Sequence, residues 1–575
     1  MKQGCRTWLA VSLLAAMQAQ AALPPWTEKT AEGWFQKHPN PAGWPAACAE
    51  LEAALKEEHG RRGTSVFAVE DPFAGWMEHL LWLKAGLASP GLLEDPDKKR
   101  AYLAIGSHSA IAREWLRNLT ASDNGQKSLE ILLQLQNLQP SALAEYPRLG
   151  VAYALVFDQP FPTHWPHPQV NPSDIPRDHP EAIDRFNDMV EAQRANLLEI
   201  DPRKLGVHEL RFVVDSNVSL DELAWARKNI RLGTNKFANA FGMIRYSMPR
   251  AIQGQFQWDL GPYTLEAIQT HGGICVDQAY FASVAGKALG IPTLYFHGQG
   301  GSGGHAWFGY MEKPGRWNTD CGRYASQNYP VGQAINPQTW QPINDSELEW
   351  LVADLPKNPA YPQAWSALAW ARLSARGNPD DLLKGIREAR DLLPSWPQPW
   401  IEEARLLEPA APGERRAFYE DWIKNFDKQS DLKVQGQQQL LVLLKAAGDP
   451  AAAALQKEIV RENRKKRFDL GIDAGAGAIF EKIDSGDWNA AEKEFKSMVR
   501  KFDNQGGGSL YYQLVEPYVF SCLEDAQWER AGEAVDYAEK KMGVDNRSIL
   551  SKEFEDLRRR VESKWQPPIS MPGGL

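Results

Sequence analysis

Two long stretches of the chain repeat apolar residues at three- and four-residue intervals, and a shorter stretch between them does not. The first runs from 22 to 250. Asp71-Pro72 offers an N-cap with a first-turn proline, and Trp76, Leu80, Leu83 and Leu87 then follow at helical spacing. Ile183, Phe186, Met189, Val190 and Leu197 repeat the stripe, and Ser219 with Glu222 has the form of a capping box ahead of Leu223 and Trp225. A proline-rich passage from Gln159 to Pro176 breaks the helices and predicts an irregular connection. It holds His164 and His167, but no further His or Cys is close enough to complete a metal site, so none is expected.

The second helical stretch, 347–575, carries a weak repeat. Pro362-Gln363-Ala364-Trp365 returns as Pro397-Gln398-Pro399-Trp400, close to the 34-residue period of tetratricopeptide repeats. Gly486 to Ala491 and Ala526 to Ala531 resemble the second helices of such units. Stacked helix pairs with a concave face, an α-solenoid able to hold a protein partner, are expected here. The basic run Arg464 to Arg467 reads as a solvated helix face.

Between them, in 251–346, glycines, aromatics and alternating segments replace the helical stripe. Gly272-Gly273 precede Cys275, helix-compatible Ala279, Val284, Ala285 and Ala288 follow it, and Gly290 with Pro292 stops the segment. This places Cys275 at a helix N-terminus, where free N–H groups and the helix dipole favour a thiolate and can receive an oxyanion. Thr293 to Phe296, His305 to Tyr310 and Arg316 to Asp320 read as strands, the last two joined by a turn at Glu312 to Gly315. Folding that hairpin is expected to bring Asp320 within a residue or two of His305, where it would hold the imidazole in one tautomer as base for the thiol. The glycine-rich Gly298 to Gly304 lacks a Gly-Lys-Ser/Thr ending and leads into a strand, which argues against phosphate binding and for a flexible lip on a groove.

The glycine-cysteine helix start, Gly290-Ile291-Pro292, Gly304-His305-Ala306-Trp307 and Trp317-Asn318-Thr319-Asp320 occur in the order found in the transglutaminase-like superfamily, a branch of the papain-like cysteine hydrolases, and the chain resembles it over about Trp258 to Asp345. The resemblance implies an α+β fold whose core packs a cysteine-bearing helix on an antiparallel sheet. It implies Cys275 as nucleophile, His305 as base and acid, Asp320 as orienting carboxylate, and an upstream oxyanion donor for which Gln257 and Trp258 are the candidates. Cys321 follows Asp320 directly and could instead pair with Cys275; the plainer expectation is that it faces the other side of its strand.

Composition and the N-terminal pattern narrow this picture in four ways. A formal charge of −9 gives no global field for nucleic acid. Lys2 and Arg6, the apolar run Trp8 to Met17 and Ala19-Gln20-Ala21 form a signal-peptide pattern over 1–21, too short to span a bilayer, so an exported, periplasmic or secreted protein with no membrane span is expected. Four cysteines beyond that pattern are too few for a disulfide scaffold. Of the 22 tryptophans, Trp76, Trp225, Trp365 and Trp488 sit at apolar helical positions and read as core, and no facing pair of carboxylates for sugar chemistry is marked in the sequence. The sequence therefore predicts a cofactor-free cysteine protease, amidase or acyltransferase acting on peptide or protein amides through a thioester, hydrolysis ahead of transamidation. The alternative is a non-catalytic scaffold that binds peptides or proteins through the helical repeats.

Overall fold

The apolar stripes become helices, most of them packed on their neighbours in sequence. The computed structural model describes residues 23–564 except 108, 164, 166, 177–180 and 547. The signal-peptide pattern at 1–21 and His164 lie outside the described residues. The fold is α+β, predominantly helical, with one five-stranded antiparallel sheet.

Local rules account for most helix ends. Asp71 caps Pro72–Ala88, its carboxylate accepting from the Phe73 N–H at 3.0 Å. Ser219 caps Leu220–Asn229 through the Glu222 N–H at 3.2 Å. The second half of the predicted capping box is not made. Glu222 turns away and accepts the Leu265 N–H at 2.8 Å, at the start of α2 (Leu265–His271), because that buried N–H has no helical partner of its own. The described residues of 159–176 form the predicted irregular connection, with a short 3-10 turn at Pro172–Asp174. His167 within it is buried, and its Nε2 bonds the Tyr263 hydroxyl at 2.9 Å. The described residues hold no cluster of three or more His, Cys, Asp or Glu able to take a metal.

The sheet has the order β3-β2-β1-β4-β5, with β1 Thr293–Gly300, β2 Gly303–Lys313, β3 Arg316–Cys321, β4 Gln333–Ile335 and β5 Pro342–Asn344. Against it packs α3 (Cys275–Ala288), almost wholly buried beyond its first residue. Its Lys287 is sealed in the interior, donating to Asp215 Oδ1 at 2.5 Å and to the Phe212 and Thr293 carbonyls. The expected flexible lip is instead a tight hairpin. β1 runs on to Gly300, which pairs with Gly303. The hairpin tip is held from outside: a Cβ on Gly507 would fall 2.4 Å from the Gly300 carbonyl oxygen, and the Leu550 N–H donates to the Ser302 carbonyl.

Beyond residue 360, Tyr361–Ser374 packs on Pro379–Leu392, Pro412–Asn425 on Ser430–Ala446, Phe468–Asp484 on Trp488–Phe502, and Trp488–Phe502 on Trp528–Met542. One apolar core runs from Phe35 to Trp396 through the first helical stretch, the sheet and the first of these helices. Two more lie along the remaining helices. No helix among the described residues is long and apolar enough to cross a membrane.

Candidate active site

Cys275 is the first residue of α3, as its glycines and following alanines predict. The Gly272-Gly273 pair lets the chain reach the helix start closely. Gly272 has φ +79, and a Cβ there would lie 2.5 Å from the Arg245 carbonyl oxygen. Residues 245–247 lie alongside: Gly273 N–H donates to Arg245 O at 3.0 Å and Ser247 N–H to Gly273 O at 2.8 Å.

α3 packs on β2, the strand that carries His305, and the backbone N–H dipoles of Ala306, Val276 and Cys275 itself act on the thiol. These donors favour the thiolate, but burial outweighs them and pushes the thiol above its ordinary value, helped by the Asp277 carboxylate. Burial also lowers His305, with the Gly322 carbonyl opposing. Both shifts favour a neutral thiol and a neutral imidazole at rest, where the sequence predicts a thiolate. No hydrogen bond joins the two side chains among the described residues.

His305 Nε2 donates to the Gly322 carbonyl at 2.8 Å. With Nε2 protonated, Nδ1 of the neutral ring is the free acceptor. The ring stacks on Tyr324 with centroids 4.2 Å apart. Asp320 does not take part. Its side chain is 65% exposed and pairs with Arg323 at 2.8 Å. The reason is register: the tight turn pairs Lys313 with Arg316 and Phe308 with Cys321, so Asp320 lies level with the middle of β2 and not with His305 near its start. A backbone carbonyl thus occupies the place expected of the carboxylate.

The oxyanion candidates are also engaged elsewhere. The Trp258 indole is buried and donates to Gly261 O at 2.8 Å, while Gln257 donates to Asn171 at 3.3 Å on the surface. Backbone N–H groups of Ala306 and of the start of α3 remain as donors acting on the thiol. Cys321 is buried opposite Phe308 and all four described cysteines are free thiols. Burial pushes Cys321 up to about 12.

Asp277 carries a role that was not assigned from sequence. It is fully buried, accepting from the Ile274 N–H at 2.8 Å, Arg250 Nη1 at 2.8 Å and the Tyr263 hydroxyl at 2.9 Å. Arg250 in turn donates to the carbonyls of Gln255, Phe256 and Gln257. Tyr263 extends the chain to His167, held neutral with its value lowered to about 3 by burial. One carboxylate thereby ties the helix start to the loop in front of it. An acid in the first turn of a glycine-started helix was the available signal.

No family model, curated protein or solved structure matches this chain.

Proposed function

We propose that the chain is an exported cysteine enzyme of the transglutaminase-like kind, in which a papain-like core attacks amide carbonyls and an α-solenoid follows it. The observation that carries this reading is Cys275 at the N-terminus of a helix that packs on the strand bearing a tautomer-locked His305. In the attacking step the thiol proton passes to His305 Nδ1 as the S–C bond forms, and the oxyanion faces N–H groups at the helix start. The imidazolium then protonates the leaving amine as the C–N bond breaks, leaving a thioester. Water adds to the thioester, the S–C bond breaks, and a carboxylic acid and the thiol are released; an amine in place of water gives transamidation. A thiol pushed up and an imidazole pushed down by burial support proton transfer concerted with attack rather than a standing thiolate. Peptide or isopeptide hydrolysis is the favoured outcome. Incubation with a protein or peptide pool is expected to release new amino termini, and Cys275→Ala is expected to abolish that release; equal release by the variant would refute the assignment.

A further inference from the structure

Two ion pairs flank the candidate site. Asp277 and Arg250, the latter on α1 (Met248–Gln253), fasten the start of the nucleophile's helix. The second pair, Arg323 and Asp345, has no part in the proposed chemistry and stands on the side of His305. Its side chains are 18% and 16% exposed, and Arg323 Nη1 donates to Asp345 Oδ2 at 2.9 Å. Nη2 of the same guanidinium donates to the Tyr329 carbonyl at 2.9 Å, and Nη1 also reaches the solvated Asp320 at 2.8 Å. Backbone groups hold the other end: Asp345 Oδ2 accepts from the Gly332 N–H at 3.0 Å and Oδ1 from the Ser346 N–H at 2.9 Å.

The place of this pair follows from the sheet, whose two edges are β3 and β5. Asn344 at the end of β5 lies opposite Gln333, Gln333 opposite His297, and His297 opposite Ala306. β3, antiparallel to β2, likewise ends toward the start of β2. Arg323 follows β3 and Asp345 follows β5, so the pair joins the two edges across the end of the sheet that carries His305.

What it fastens is the peptide that orients the imidazole. The carbonyl accepting from His305 Nε2 is that of Gly322, and the N–H of the same peptide unit, on Arg323, donates to the Asp320 carbonyl at 3.1 Å. This unit lies beyond the end of β3, and Gly322 has φ +92, a conformation that L side chains rarely adopt. Arg323 anchors it through the guanidinium, which also lies 5.0 Å over the Trp307 ring. Tyr324, the next residue, is the one stacked on His305. Residues 322–324 thus give the imidazole both its acceptor and its stacking partner.

From this we infer that Arg323 and Asp345 are positioning residues for the base. They hold the Gly322 carbonyl on His305 Nε2 and so keep Nδ1 free for the thiol proton, the task expected of a carboxylate bonded directly to the ring. The inference rests on the proposed cysteine chemistry.

A double-variant cycle on the full-length protein tests it, with the rate of Cys275 alkylation by iodoacetamide near neutral pH read by peptide mass spectrometry. His305→Ala is expected to slow labelling by about 10²-fold. Arg323→Met and Asp345→Asn are each expected to slow it by about tenfold through a misplaced base, and to add nothing further once His305 is Ala, since residues acting through one group are not additive. Arg323→Lys keeps the charge but not the planar fork; it is expected to fall between wild type and Arg323→Met, and it carries the test where the other two variants unfold. An equal slowing in the His305→Ala background would make the pair a brace for the fold alone and overturn the positioning role. Wild-type labelling in the Arg323 and Asp345 variants, with His305→Ala still slow, overturns it too and leaves the cysteine chemistry standing. Labelling indifferent to His305→Ala overturns the cysteine reading and the positioning role with it.

Discussion

Two aspartates close to the site have opposite fates. Asp277, two residues after the nucleophile, is fully buried and accepts from a backbone N–H, a guanidinium and a phenol. Asp320, on the strand beside His305's, lies in solvent and pairs with Arg323. The motif that carries the family resemblance points to the second as the orienting carboxylate. The geometry gives structural weight to the first, and a backbone carbonyl takes the orienting position. The difference teaches that a carboxylate's role is set by what desolvates and bonds it, not by its distance from a histidine in sequence.

The largest expected effect is on the buried side of this comparison. Asp277→Asn leaves the Arg250 guanidinium buried without its anion and is expected to destabilise the protein by about 3–5 kcal/mol in urea unfolding. A loss below about 1 kcal/mol would mean that Arg250 finds water and that the loop is held by its carbonyl contacts alone.

His305→Ala tests the chemistry beside the exposed carboxylate. It is expected to lower amide turnover by about 10²–10⁴-fold, the usual contribution of a positioned acid–base. In the wild type, alkylation of Cys275 is expected to rise with pH through and above the ordinary thiol range, since burial raises the thiol and lowers the imidazole. A labelling plateau already reached near pH 5 would reveal a standing thiolate and count against the neutral pair.

Gly272→Ala probes the approach to the nucleophile. A Cβ placed against the Arg245 carbonyl, at a backbone angle that L residues rarely adopt, is expected to cost about 1–3 kcal/mol in thermal or urea unfolding. Displacement of residues 245–247 would also slow Cys275 labelling.

Asp320→Asn is expected to do least: a stability change within about 0.5 kcal/mol and an unchanged pH profile of turnover, because the carboxylate is solvated and its ion pair exposed. A loss of turnover comparable to that of His305→Ala would restore Asp320 to the triad and require the end of β3 to rearrange when substrate binds.

Much of this was legible in the chain. The capped helix after Asp71, the helix start at Cys275, the three strands that follow and the paired helices of the last third all rest on periodicity and end signals within a few residues of one another. The reach of Glu222 to Leu265, the closed hairpin at Gly300 to Gly303 and the exposure of Asp320 were not legible, because each depends on a partner from a distant segment or on a strand register. Asp277 stood in the cysteine motif itself, yet its partner Arg250 lies 27 residues upstream with no local pattern to join them.

The amino-acid sequence by itself determined many of the helices, three of the five strands and that Cys275 begins a helix, since caps, glycines and apolar spacing act over one or two turns. Only the tertiary structure decided which carboxylate is buried, which atom of His305 stays free, and that burial pushes the thiol up and the imidazole down. Those outcomes are set by desolvation and by bonds between remote segments, and neither exists until the chain has packed.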